Sequence, residues 1–336
     1  MKCTIPSLGN EENVLTFHER EENDRQPKKR RLSKKQRDYI FIFLMLLYPI
    51  AQFVFTWSFV NIRSLLLAFQ KGSINGYEWV GFATLSQVWH DSFHNYANTT
   101  GVSWLNNSSV IVLNSLGFAF ITIFISLPLS MLFSYFLSKK MPLANVFRVI
   151  FFLPNIIPVV VLTFAFKMAY QPNVGYLYGL VKALGISETA SKTYPMSQIM
   201  VYIYCIWAGL GYNIILLSGA IGRIPKELLE SAKIDNCGYF KEFFHVVVPM
   251  IWPTVVTLVI LGMTNVLTLY LQPLFLTGGE GNTWTISLQI WDSVDTRNPK
   301  DLCEAAAKGL IFSAIWSPVI LITRKLLSKK FSEVDY

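Results

Sequence analysis

The chain has 336 residues, of which 52% are hydrophobic and only 15% charged. A soluble protein carries roughly a quarter charged residues, and here the apolar ones are gathered into long uncharged runs, so a soluble globular domain is excluded. The net charge of +8 does not point to nucleic acid, because the basic residues cluster at the ends of those runs, as membrane topology requires.

In chain order, residues 1–37 are polar. Glu19, Glu21, Glu22 and Asp24 form an acidic patch, followed by the basic run RQPKKRRLSKKQR. This composition predicts a disordered tail whose basic end holds the first helix on the cytoplasmic side. The apolar run after it is too long for a signal peptide and lacks a small-residue cleavage site. A spanning helix needs about 20 apolar residues. Runs of that kind predict spans near 39–62, 110–137, 146–170, 197–221, 246–271 and 305–326. The last reaches spanning length only if Lys308, Arg324 and Lys325 snorkel at its ends. The expected class is therefore an all-α integral membrane protein of about six transmembrane helices, with a membrane domain over residues 38–330.

Lys and Arg set the orientation. The tail, Lys139, Lys140 and Arg148, then Arg223, Lys226, Lys233 and Lys241, and finally the C-terminal RKLLSKK fall in alternate segments. The intervening segments are long but poor in basic residues. Both termini are thus expected to be cytoplasmic. Asn98, Asn106 and Asn107 sit in glycosylation triplets on the outer side, which read as chance in a polar loop of a bacterial protein. The four cysteines show no CxxC pairing, so neither a metal site nor a disulfide framework is expected. The four histidines are scattered, and no nucleophile–base cluster suggests an enzyme.

Prolines interrupt several runs. In FFLPNIIPVV, Pro154 and Pro158 flank Asn155. Each proline removes a helix hydrogen bond, and in lipid the freed carbonyl needs a partner. This segment predicts a bent or broken helix.

Between the fourth and fifth spans, residues 222–245 are not an ordinary loop. Pro225 suits a first helical turn, and good helix formers run from Lys226 to Ile234. Asp235 suits the start of the next helix. Asn236 and Gly238 are the residues best suited to a left-handed turn. Tyr239, Phe240, Phe243 and Phe244 then recur at helical spacing. The reading is a helix–turn–helix knob with small residues at Ser231 and Ala232 and an aromatic root.

Glu230, Ser231 and Ala232, with Asp235 three residues on and Val-Val-Val-Pro249 beyond, resemble the EAA loop of ABC-importer permeases. YEWVGF, FRVIFFLPNIIPVVV, IWAGLGYNIILLSGAIGRIPKEL and QPLFLTGGEGNTW resemble the carbohydrate-uptake permeases of the maltose and glycerol-3-phosphate type. The resemblance covers about residues 37–330. It departs where the motif has Ala and this chain has Ser231, and where the motif has Gly and this chain has Asn236.

The resemblance implies a type I importer permease fold and a cytoplasmic coupling loop that seats in a cleft of a separate ATPase. Glu230, Ser231, Ala232, Asp235, Asn236 and Gly238 would then couple ATPase closure to rocking of the fourth and fifth spans. No P-loop is present in the sequence, so ATP and Mg are expected on the partner ATPase and no cofactor in this chain. The further partners implied are a second permease, usually a different chain, and an extracellular solute-binding protein that docks near Leu276–Trp284. No span carries a carboxylate or His well away from its ends, which argues against a proton- or sodium-coupled carrier or a channel. Amides and aromatic rings suit a sugar's hydroxyls and C–H faces, so Trp207, Tyr212 and Asn213 are candidates for the path of a sugar or oligosaccharide. Asn265, Thr268 and Gln272, at spacings of three and four, are candidates on the next span. Lys167 reads as a snorkelling anchor. The alternative within the same class is a permease for a polyamine or phosphate ester.

Overall fold

The computed structural model describes residues 33–73, 76–93, 108–139, 141–171, 175–183 and 193–329. The tail before Ser33 and the triplets at Asn98, Asn106 and Asn107 lie outside them. The chain divides into two compact units, Met1–Ile62 and Arg63–Tyr336.

The first unit is represented by α1, Lys34–Leu67, whose last residues, from Arg63, already belong to the second unit. Gln36 Oε1 accepts from the Ser33 amide at 3.1 Å, which satisfies one donor at the helix start. A single π turn, Phe53–Trp57, interrupts the helix. Phe41, Leu46, Phe53 and Phe59 are all exposed, so the helix is apolar around its circumference, as lipid contact demands.

The second unit opens with an antiparallel hairpin, β1 Gln70–Ser73 and β2 Gly76–Trp79, registered by Gln70 opposite Trp79 and Ser73 opposite Gly76. A helix α2, Ala83–Phe93, follows. The polar stretch read between the first two spans therefore carries regular structure of its own. The remaining elements are α3 Val110–Ser138, α4 Ala144–Ile156, α5 Val159–Ala169 and α6 Tyr178–Ala183. Then come α7 Met196–Ile221, α8 Lys226–Ile234, α9 Tyr239–Met250 and α10 Trp252–Thr268. The chain ends with α11 Leu271–Thr277, α12 Ile286–Asp295 and α13 Pro299–Ser328.

Among the described residues α1, α3, α7 and α13 are each long and apolar enough to cross a membrane, and two bent pairs bring the possible spans to 6. The pairs fall at the expected third and fifth spans, each of them bent. Residues 146–170 are not one helix: α4 and α5 meet at 106°. Proline disfavours the helical region for the residue before it, and Ile157, ahead of Pro158, is extended at φ −80 and ψ 133. The run 246–271 also divides. It turns by 77° between α9 and α10, where Pro253 lies in the first turn of α10. It breaks again at Leu269, with φ −83 and ψ 101. The expected last span, 305–326, extends to Pro299 because Asn298 Oδ1 caps the Lys300 amide at 3.3 Å and proline is favourable in a first turn. Lys308 consequently sits well inside that helix.

Lipid is as apolar as leucine, so helix association there rests on close packing and interhelical hydrogen bonds. The α3–α7 contact follows this rule. Ser126, Ser130 and Ser134 form a buried stripe at i, i+4 spacing, and Ser134 Oγ donates to the Ile214 carbonyl at 2.9 Å. Three residues before Ile214 on α7, Gly211 lets α4 approach: a Cβ there would lie 2.0 Å from the Phe151 carbonyl oxygen. An aromatic and aliphatic cluster at one end of the unit joins Met131 and Tyr135 of α3 to Leu217 and Ile221 of α7, Phe243 and Val247 of α9, and Leu258 of α10. A second cluster holds Phe118, Leu162, Val201, Tyr204 and Leu276 together.

Candidate functional site

Two sites emerge from this frame, a helical knob and a cavity. The knob is α8, a turn and α9. α8 ends in a Schellman arrangement. The Cys237 amide donates to the Ala232 carbonyl at 2.9 Å and the Asn236 amide to Lys233 at 3.0 Å. The residue that takes the left-handed conformation is Asn236, at φ 52. Gly238 does not share that role, since it caps α9 in an extended conformation at φ −65 and ψ 157. Asparagine tolerates this region better than other side chains, so the turn closes without glycine at 236.

Glu230, Ser231, Asp235, Asn236 and Gly238 are exposed. Ala232 is 8% exposed and faces the chain itself, so its small size serves packing of the knob rather than an open surface. Ile234, Tyr239, Phe240 and Phe244 leave an exposed apolar rim. Phe243 is buried and holds the knob to the core, with Tyr135 of α3 at a ring-centroid distance of 5.2 Å. The Tyr135 hydroxyl donates to the Tyr239 carbonyl at 3.0 Å. Glu242 is buried at the root of α9 and pairs with Lys139 at the end of α3.

The cavity, of about 530 Å³, lies between α3, the α4–α5 break, α7, α10 and α11. Pro154 and Asn155 line it at the break, Tyr212 and Asn213 on α7, Asn265 and Thr268 on α10, and Gln272 on α11. Asn155 Nδ2 donates to the Ala208 carbonyl at 3.1 Å, so the broken helix is tied back to α7. Asn265, Thr268 and Gln272 do meet at one wall, but not as one helix face. The break at Leu269 separates Gln272 from the other two, and the freed Leu269 carbonyl accepts from Thr285 Oγ1 at 2.8 Å. The same hydroxyl caps α12 by accepting from the Leu288 amide at 3.1 Å. A broken membrane helix survives by such internal partners.

One residue expected on the solute path does not line the cavity. Trp207 points elsewhere and stacks on Phe166 with centroids 6.0 Å apart. The α7 residues that do line it fall in two rows at i, i+4 spacing, Tyr204, Ala208 and Tyr212 beside Cys205, Gly209 and Asn213. Trp207, five residues before Tyr212, is turned about 140° around the helix from it. Pro158 sets the break without reaching the lining.

Sequence reasoning missed Thr122 and Ser126 of α3 and Thr264 of α10, which also line the cavity. Thr122 and Ser126 are the first and last residues of a π turn, a distortion frequent at functional sites. Nothing in local composition marks it. Among the described residues that line the cavity none carries a charge. The volume falls in the range of small-molecule sites, roughly 300–1,000 Å³. Its lining of amides, hydroxyls and the Tyr204 and Tyr212 rings can hydrogen-bond hydroxyls and cover C–H faces.

Leu276–Trp284 forms a tight turn anchored between helices. α11 ends on Gly278 at φ 67, whose amide donates to the Pro273 and Leu274 carbonyls at 3.0 Å. Asn114 Nδ2 donates to the Asn282 carbonyl at 2.8 Å, and Gln198 Nε2 donates to Asn114 Oδ1 at 3.0 Å. Ser197 Oγ donates to the Gly281 carbonyl at 2.6 Å. The turn thus ties the starts of α3 and α7 together, through residues the sequence did not single out.

Residues 126–332 match the family model described as "Binding-protein-dependent transport system inner membrane component". The chain is 28% identical over 190 residues to the probable ABC transporter permease protein YurN of Bacillus subtilis, covering 55% of this chain and 63% of that protein. It is 29% identical over 181 residues to the diacetylchitobiose uptake system permease protein NgcF of Streptomyces coelicolor, covering 51% of this chain and 50% of that protein. The chain thus spans between half and just under two thirds of the length of these relatives. In structure it is similar to a chain of a bacterial alginate ABC transporter in complex with an alginate pentasaccharide-bound periplasmic protein. That match has a TM-score of 0.70 at 18% identity and covers 91% of this chain and 100% of the other.

Proposed function

The chain belongs to the family of binding-protein-dependent transport system inner membrane components, and from that premise we propose that it is the permease subunit of an ATP-driven importer of a sugar or oligosaccharide. The observation that carries the substrate class is the cavity: an uncharged space beside the helix breaks, whose aliphatic lining is studded with amides, hydroxyls and tyrosine rings. Such groups match a saccharide and offer no counter-charge to a polyamine or phosphate ester. Relatives named for diacetylchitobiose uptake and alginate import support the same class.

In this reading the chain is not an enzyme. A second permease, usually a different chain, completes the path, and separate ATPase subunits bind ATP and Mg. An extracellular solute-binding protein delivers the saccharide on the side of Leu276–Trp284. The knob seats in the ATPase, with Glu230, Ser231, Asp235 and the exposed aromatic rim as its contact surface. Asn236 and Gly238 shape the turn. The distribution of Lys and Arg supports a plasma-membrane protein of a bacterium with both termini cytoplasmic. Closure of the ATPases displaces the knob, and α7 and α10 rock about the cavity between inward- and outward-open states.

The test is growth of the native host with this chain deleted, on a panel of single oligosaccharides as sole carbon source. The expected result is loss of growth on one saccharide or a closely related set, restored by the intact chain, with growth on glucose unchanged. Transport by the purified chain alone in ATP-free liposomes would contradict the proposal.

A further inference from the structure

A buried ion pair, Lys139 with Glu242, lies at the root of the knob. Lys139 is the C-cap residue of α3, and Glu242 lies in the first turn of α9. Each charge therefore sits at the helix end whose dipole favours it. Glu242 is 2% exposed and its partner 19%, inside a cluster that is otherwise aromatic and aliphatic. The Lys139 ammonium also lies 5.1 Å from the centroid of the Tyr135 ring and 5.8 Å from that of Tyr239. The three groups close around one point, with Tyr135 held to the Tyr239 backbone.

Such a pair is a poor means of stabilising a fold. Desolvating two charges cancels most of their attraction, and an apolar pair of equal volume would serve stability as well or better. What a buried pair does supply is a fixed register between two elements. That register matters here because the chain turns by 77° between α9 and α10 at Ile251, where a hinge would absorb motion of the knob. The pair provides a second tie, off that hinge, to α3. The same helix carries Thr122 and Ser126 on the cavity wall.

We propose that Lys139 and Glu242, with Tyr135, form a rigid joint that makes α9 and α3 move as one body, so that displacement of the knob reaches the cavity wall through α3. Lys139 and Glu242 are positioning residues for coupling. The proposal rests on the reading of residues 222–245 as the coupling loop.

The test uses the whole importer, purified with its native partners, with nitroxide labels at Phe124 of α3 and Lys241 of α9, both exposed, and the native cysteines replaced by serine. Label distances are measured without nucleotide and with ATP and Mg. The intact pair is expected to give one narrow distance in both states. Glu242→Gln and Lys139→Met are expected to shift or broaden it by about 2 Å or more on adding ATP and Mg, the scale of helix movement at such contacts. The conservative variant Lys139→Arg, which keeps the charge at the helix end that favours it, is expected to keep the narrow distance. A purely packing role would lower the yield of complex and leave the distance unchanged. The proposal is overturned if Glu242→Gln keeps the single distance in both states, or if the intact pair already shifts with ATP. Where Lys139→Met does not assemble, Glu242→Gln and Lys139→Arg decide. Retention of the ATPase subunits by Glu230→Lys would instead overturn the coupling-loop reading, a separate outcome because the joint variants leave the knob's exposed face intact.

Discussion

The knob and the cavity are both made by interrupting helices, but the interruptions are of different kinds. The knob's turn is closed by its own neighbours: the Ala232 and Lys233 carbonyls, the left-handed Asn236 and the cap at Gly238 all lie within seven residues. The breaks around the cavity are closed from afar. Asn155 reaches the Ala208 carbonyl, and the Leu269 carbonyl is satisfied by Thr285. A water-facing loop can complete itself locally because solvent accepts what remains. A break inside a bilayer must borrow partners from other helices, so its geometry depends on the whole bundle.

This difference predicts where substitutions do the most damage. The largest effect is expected at Gly211. Even the methyl of Gly211→Ala would meet the Phe151 carbonyl and Asn155, and overpacking of this kind costs about 3 kcal/mol. The melting temperature of the detergent-solubilised complex should fall and uptake should be lost. An unchanged melting curve would mean that α4 can move aside freely. Next is the cavity wall. Asn265→Leu and Gln272→Leu should each lower saccharide uptake about tenfold, the loss of one or two hydrogen bonds, while the ATPase subunits stay bound. Equal loss of uptake and of ATPase binding would show that these residues hold the fold and not the solute.

Smaller effects separate neighbours that look alike in sequence. Asn236→Val should destabilise the knob by about 1–2 kcal/mol, the penalty for a left-handed residue with a full side chain, whereas Asn236→Gly should be neutral or slightly stabilising. Proteolytic nicking between α8 and α9 would report the difference. The smallest change is expected at Trp207. Trp207→Phe should leave uptake within about twofold of the parent, since the ring packs on Phe166 outside the cavity. Tyr212→Phe, inside it, should reduce uptake more. The reverse order would return Trp207 to the solute path.

The sequence carried the knob almost completely, because turn chemistry is local: Pro225, Asn236 and the aromatic repeat each announce their role by type and spacing. It erred in giving Gly238 a share of the left-handed turn, which Asn236 takes alone, and in placing Asp235 at the start of the second helix, since it caps the end of α8. The apolar runs were legible as spans, and Pro154 with Pro158 as a break. Their angles were not, because a bend is set by the neighbours that accept the freed groups. The cavity was half legible. Amides on α7 and α10 are conspicuous in an apolar run, but Thr122, Ser126 and Thr264 look like ordinary helix residues until α3 and α10 are brought face to face. Glu242 carries no local mark in the sequence, and only its burial beside Lys139 distinguishes it.

The central claim is that the knob is where an ATPase engages this permease. The most direct measurement is recovery of the complex from native membranes in mild detergent, with wild type beside Glu230→Lys and the partners identified by mass spectrometry. The account predicts that wild type retains an ATPase and a second permease, and that the variant keeps the permease while losing the ATPase. A wild-type chain that retains no ATPase under conditions preserving other membrane complexes, or a variant that retains it fully, would contradict it.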